Sequence, residues 1–227
     1  KNGIYSNVIN NKEITAIAIS PTNPDFIMVG CSLNSDYDEM VYKTIDSGNN
    51  WEVITIPDNQ GSFHEISSIA FHPSNENFII ATCIGSAYLD MPDDDENQDE
   101  ILDRNLAYAY RSSNGGTTWE LVLEFDCTDG NVIFDPINPS NMYITADLGL
   151  YHSNNNGNVW QLINYPQNCQ IRELAINPEN SLIMYLTTDN GIYISLDAGE
   201  TWEESNSGIN DFNIISIEID KTNHNII

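Results

Sequence analysis

Four copies of one octapeptide recur along the chain, at residues 44–51, 112–119, 153–160 and 195–202, and each ends on one of the four tryptophans. A register kept four times constrains the chain to a repeat architecture, in which each copy is one supersecondary unit that buries its apolar face against its neighbour. The shared pattern is Ser/Thr-x-Asp/Asn-x-Gly-x-x-Trp. Gly48, Gly116, Gly157 and Gly199 are expected to supply the positive φ of a tight turn. Asp46, Asn114, Asn155 and Asp197 are expected to accept hydrogen bonds from the turn's own N–H groups. An apolar stretch precedes each copy and an alternating one follows, which predicts a β-hairpin whose second strand opens at the Trp.

A second motif runs out of phase with the first, around Pro21, Pro73, Pro136 and Pro178. Each copy reads as strand, Pro/Asn turn, strand. One unit is therefore four short strands: A before the Pro turn, B after it, C before the octapeptide and D from the Trp. Successive Trp residues lie 68, 41 and 42 positions apart, and an insertion at 90–105 accounts for the long first interval. Four antiparallel strands in about 40 residues is the spacing of β-propeller blades.

With these residues in view, the chain resembles the Asp-box (BNR-repeat) β-propellers, a group that includes sialidases, xyloglucan-active glycosidases, sortilin-type receptors and photosystem II assembly factors. The resemblance covers nearly the whole chain and implies an all-β propeller of four-stranded antiparallel blades. The expected units are 1–13 (end of a preceding blade), 14–65, 66–130 with the acidic insertion 90–105, 131–170, 171–213, and 214–227 (start of a further blade). Four complete blades with two stumps do not close a ring. The sequence is therefore expected to be part of a larger propeller, its first partner being the remainder of that propeller.

Thirty-four acidic against seven basic residues give a formal charge of -27. Such a field repels nucleic acid and anionic lipid, which leaves cations, neutral carbohydrate and protein as partners. No run approaches the roughly 20 apolar residues of a membrane-spanning helix, so no membrane insertion is expected. The resemblance and the charge together point to an extracellular or cell-surface binding module.

Cys31 and Cys83 fall in matched slots of strand B, and Cys127 and Cys169 at the entry to strand A. If strand A is innermost, as in other propellers, Cys127 with Cys169 is the better disulfide candidate, and buried thiols are the reading for Cys31 and Cys83.

Chemistry is sought first in the insertion, where Asp93, Asp95, Asn97 and Asp99 alternate as oxygen ligands do in calcium loops. The EF-hand pattern fails, with Gln98 where Gly is needed and Arg104 where Glu is needed. Calcium as cofactor and a plain solvated acidic loop both stand. A smaller acidic stretch at 34–39 lies in the same B-to-C connection one blade earlier. Because B-to-C and D-to-A connections share one end of a propeller, Tyr37, Tyr88, the acidic loops and the Cys127–Asp129 stretch are expected to form one interaction face.

Sialidases of this fold use an arginine triad, which Arg104, Arg111 and Arg172 do not form in sequence. The resemblance to xyloglucan-active glycosidases implies a catalytic Asp in a B-to-C turn, and Asp147 and Asp189 hold that slot. The same Asp also serves as a turn former, and the acid/base pair of that family comes from two separate propellers about 5 to 9.5 Å apart across a cleft. A non-catalytic module is the principal reading, and a fragment of a secreted hydrolase of xyloglucan-type β-glucans is the alternative.

Overall fold

The structure is a computed structural model and describes residues 13–32, 41–57, 62–87, 104–127 and 129–220. Sixteen strands make four antiparallel sheets, each of four strands in sequence order, with no helix among the described residues. Sheet 1 holds β1 (Ile14–Ile19), β2 (Ile27–Cys31), β3 (Val41–Thr44) and β4 (Glu52–Ile54). Sheet 2 holds β5 (Ser62–His72), β6 (Asn75–Ala87), β7 (Arg104–Ser112) and β8 (Glu120–Asp126). Sheet 3 holds β9 (Gly130–Phe134), β10 (Met142–Ala146), β11 (Gly149–Ser153) and β12 (Gln161–Ile163). Sheet 4 holds β13 (Ile171–Ile176), β14 (Met184–Thr188), β15 (Gly191–Ser195) and β16 (Glu203–Glu204). The all-β, four-stranded-blade architecture read from the repeat is the observed one. Each D strand starts one residue after its Trp.

Period-two alternation decides what each sheet presents to its neighbours. On β6 and β7, Ile79, Ala81, Tyr108 and Tyr110 enter a core shared with Phe26, Met28 and Val41 of sheet 1. The intervening Ile80, Ala107 and Ala109 face Met142, Ile144 and Ala146 of sheet 3. A third core joins Tyr143 and Leu150 of sheet 3 to Leu174, Met184 and Leu186 of sheet 4. These three cores each lie between two successive sheets, which is how a propeller covers faces that one small sheet would leave wet, while Val29, Cys31 and Tyr42 form a fourth cluster within sheet 1.

None of the four cysteines is in a disulfide, so the Cys127–Cys169 bridge weighed from the sequence does not form. The reason is packing: Cys127 is buried in the core between sheets 2 and 3, and Cys169 in the core between sheets 3 and 4.

The Asp boxes are self-contained hydrogen-bonded turns. The first-position hydroxyl of Thr44, Ser112, Ser153 and Ser195 accepts the N–H of Gly48, Gly116, Gly157 and Gly199 at 3.0, 2.9, 3.0 and 2.8 Å. Oδ1 of Asp46, Asn114, Asn155 and Asp197 accepts the N–H of the residue before the Trp at 2.8, 2.9, 2.9 and 2.8 Å. All four box glycines have positive φ, as the pattern requires. So do their predecessors Ser47, Gly115, Asn156 and Ala198. A left-handed pair reverses the chain in the hand that matches strand twist, and only sheet 2 places a second glycine there.

Two boxes use a carboxylate and two an amide, which gives a pH signature. Hydrogen bonds from Asn50 and Thr44 hold Asp46 below its ordinary range, and bonds from Thr201 and Ser195 do the same for Asp197. A carboxyl whose folded pKa is depressed stabilises the fold above its unfolded pKa of about 3.9 and loses that contribution as pH falls through the folded value. The double variant D46N/D197N is therefore expected to show a shallower fall of the urea midpoint between about pH 5 and pH 2 than the parent chain. Parallel acid limbs would contradict the assignment.

Candidate functional site

Antiparallel order puts the A–B turns and Asp boxes at one end of every sheet. Ser47 N donates to Asp25 O, Gly115 N to Asn77 O, Asn156 N to Ser140 O and Ala198 N to Leu182 O, at 3.0–3.1 Å. At the opposite end, the described B–C turns of sheets 3 and 4 meet the chain that enters each sheet's first strand. Asp147 N donates to Cys127 Sγ at 3.4 Å, and Asp189 with Gln170 forms a reciprocal pair, Gln170 N to Asp189 Oδ1 at 2.8 Å and Asp189 N to Gln170 O at 3.1 Å.

The first strands of sheets 1, 2 and 3 lie side by side, and their side chains stitch the seam. Taking Ile17, Ile69, Val132 and Leu174 as one slot, the residues two before it are Thr15, Ser67, Gly130 and Arg172. Thr15 Oγ1 donates to Ile66 O at 2.7 Å and Ser67 Oγ to Gly130 O at 2.9 Å, each reaching the next sheet. One residue further on, Ser68 Oγ accepts Val132 N at 3.4 Å, and Glu173 Oε2 accepts Ile217 N at 2.9 Å. The edge groups of a central strand would otherwise be unpaired, and such groups are costly when buried.

Thr15, Ser67 and Arg172 all sit where the inner strand slips register against its partner. A bulge re-aims the side chain of its extra residue. In sheets 1 and 2 that side chain is a short hydroxyl spent on the seam. In sheet 4 it is a guanidinium.

Arg172 lines an axial cavity of about 580 Å³ together with Ser68, Asp129, Asn131, Glu173 and Ser216. Its terminal Nη2 donates to Gln170 Oε1 at 3.2 Å, and its Nε is buried with no hydrogen-bond partner among the described residues. Burial pushes the Asp129 carboxyl above its ordinary range, Asp147 adds to this, and Arg172 opposes it. Burial also raises Glu65, followed by the charges of Asp129 and Glu13. The cavity lining thus sets two carboxylates, Asp129 and Glu173, beside the Arg172 guanidinium. Desolvation pushes the Cys127 thiol up to about 11, so it is protonated at neutral pH and not a nucleophile.

The residues singled out from the sequence are distributed as follows. Asp147 and Asp189 occupy the B–C turns of sheets 3 and 4, with Asp189 capping Gln170 N as a turn former does. Asp93, Asp95, Asn97, Asp99, Tyr37, Tyr88 and the 34–39 stretch lie outside the described residues. Among the described residues, no three His, Cys, Asp or Glu converge as metal ligands. Arg111 is committed to Glu120 at 2.8 Å and to Asn158 Oδ1 of the next box at 2.9 Å. The importance of Arg172 was not legible: the sequence shows an arginine entering strand A, but not the bulge that turns it to the axis.

The family model for sortilin (neurotensin receptor 3), Sortilin-Vps10, matches residues 107–227, more than half of the chain. The chain belongs to the sortilin-Vps10 family. A relative of this sortilin-Vps10 chain, the vacuolar protein sorting/targeting protein PEP1 of Saccharomyces cerevisiae, is 33% identical over 89 residues, which is 39% of the chain and 6% of the relative. The chain therefore spans a small part of the length of the curated relatives it matches. Among solved structures, an ancestral GH74 enzyme aligns over 88% of this chain and 26% of its own, with TM-score 0.65 and 24% identity. The GH74 xyloglucanase of Xanthomonas campestris aligns over 85% and 30%, with TM-score 0.63 and 16% identity. These two likenesses establish the fold alone.

Proposed function

We propose that this sortilin-Vps10 chain is a non-catalytic, protein-binding part of a sorting-receptor propeller. It works on the extracellular or lumenal side of a membrane and takes its ligand at the axial cavity. The observation that carries the reading is Arg172, which the register slip between Ile171 and Glu173 places in the lining of this cavity, in a chain of net charge -27. A guanidinium fork matches a carboxylate in shape as well as charge. The surrounding Ser68, Asn131 and Ser216 suit the backbone amides of a peptide. A relative named for vacuolar protein sorting and targeting agrees with a receptor that captures proteins. The glycosidase alternative rests on shared fold alone.

The test is fluorescence anisotropy with short peptides carrying either a free or an amidated C-terminus. The parent chain is expected to prefer the free carboxylate by about tenfold or more, the worth of a charge-assisted hydrogen bond, and R172Q is expected to lose that preference. Equal affinity for both peptide forms in the parent would sink the reading.

A further inference from the structure

The Asp-box end is scaffold in most of the molecule, yet one part of it departs from the repeat. Ile137, Leu182 and Leu196 are 54%, 54% and 62% exposed. In the corresponding slots the other sheets carry Asp25, Asn77 and Ser140 for Leu182, and Thr22, Ser74 and Glu179 for Ile137. Leu196 matches Ser113 and Asn154, with Ile45 the apolar exception in sheet 1. Ile45 aside, slots that are polar in the other copies are aliphatic at Ile137 of sheet 3 and at Leu182 and Leu196 of sheet 4.

Hydrogen bonds bring the three side chains' backbones together. Asp135 Oδ1 accepts both Ile137 N at 2.8 Å and Ser181 Oγ at 2.6 Å, which ties Ile137 to the residue before Leu182. Leu182 O accepts Ala198 N at 3.0 Å, two residues from Leu196. The result is one ridge across two A–B turns and the last Asp box. Exposed Glu179 and Glu200 flank it. Between residues 112 and 220 the chain has a single basic residue, Arg172, at the other end of the sheets.

Scattered exposed aliphatics need no explanation, but a group on hydrogen-bonded neighbouring turns, flanked by one sign of charge, marks a contact surface. We propose that this ridge docks a protein segment that presents aliphatic side chains flanked by Lys or Arg. Charge complementarity selects that occupant: a second copy would bring an equally acidic rim, and a net charge of -27, against this one.

The probes are a short Leu-Lys amphipathic peptide, its Leu-Glu counterpart and an oligolysine of equal charge. They are read by fluorescence anisotropy on the full chain at about 0.15 M salt, where distant surface charges are screened. The Leu-Lys peptide is expected to bind, the Leu-Glu peptide not, and I137T/L182S/L196S to weaken the Leu-Lys peptide by about tenfold while leaving oligolysine unchanged. The unfolding midpoint should stay in place because the substituted side chains are exposed. E179Q/E200Q, which keeps the ridge, is expected to weaken the Leu-Lys peptide several-fold. Undiminished Leu-Lys binding to the triple variant would overturn the proposal. So would self-association of the parent in sedimentation that the triple variant abolishes, since that assigns the ridge to a second copy. Neither outcome bears on the Arg172 test, which reads the opposite end of the molecule.

Discussion

Replacing Trp119 by Ala is expected to cost about 3–5 kcal/mol in urea unfolding, the range for truncating a buried aromatic. Trp119 is 8% exposed and fills the core between sheets 1 and 2 beside Met28 and Tyr110. Its indole N–H donates to Gly116 O at 3.0 Å, so truncation removes ring volume and a bond that closes the turn. The other box tryptophans are only half-buried and lie at the margins of their cores. W202A should therefore cost distinctly less, its indole N–H donating to Asn164 O in an exposed setting. Equal losses for W119A and W202A would refute the view that one repeat position carries unequal weight in different sheets.

Gly30→Val is the second large effect, expected at about 3 kcal/mol, the upper end of ordinary overpacking. A Cβ at Gly30 on β2 would lie 2.5 Å from Cγ2 and 2.6 Å from Cβ of Ile66 on β5, with Ala16 Cβ at 3.2 Å. Ile66 is fully buried in the core between the sheets, so neither strand can yield without parting the sheets. Ile66→Ala alone should cost about 2–5 kcal/mol through its cavity. The double variant G30V/I66A should cost less than the sum of the singles by about 1 kcal/mol or more, because the valine occupies the space the isoleucine leaves. Strict additivity would show that the close approach is not what glycine serves.

The parts of the fold legible in the sequence are those fixed by neighbours in the chain. The Asp box is read correctly because its bonds span two to four residues, from Ser195 Oγ to Gly199 N or from Asp197 Oδ1 to Thr201 N. The strand order follows from turns that short. What the sequence misled on depends on distance. Cys127 and Cys169 look equivalent because the repeat places them so, but equivalent slots in successive sheets open into different cores. Ser47, Asn156 and Ala198 take positive φ without a glycine, because the box bonds and the carbonyls of Asp25, Ser140 and Leu182 hold the turn. Arg172 reads as one more residue entering a strand until the slip between Ile171 and Glu173 shows it turned toward the axis.

The sequence by itself determined that this is a propeller built of Asp-box blades, because a turn closed by its own side chains and a strand alternating every two residues are local matters that survive in any copy. Only the tertiary structure decided where the copies stop being equal: which Trp is sealed, which glycine lets two sheets touch, which bulge carries a cation to the axis, and which turns stand aliphatic in water. Those differences arise from contacts between residues more than 30 positions apart, such as Gly30 with Ile66 and Ser181 with Asp135, and no repeat pattern encodes a contact with the neighbouring copy.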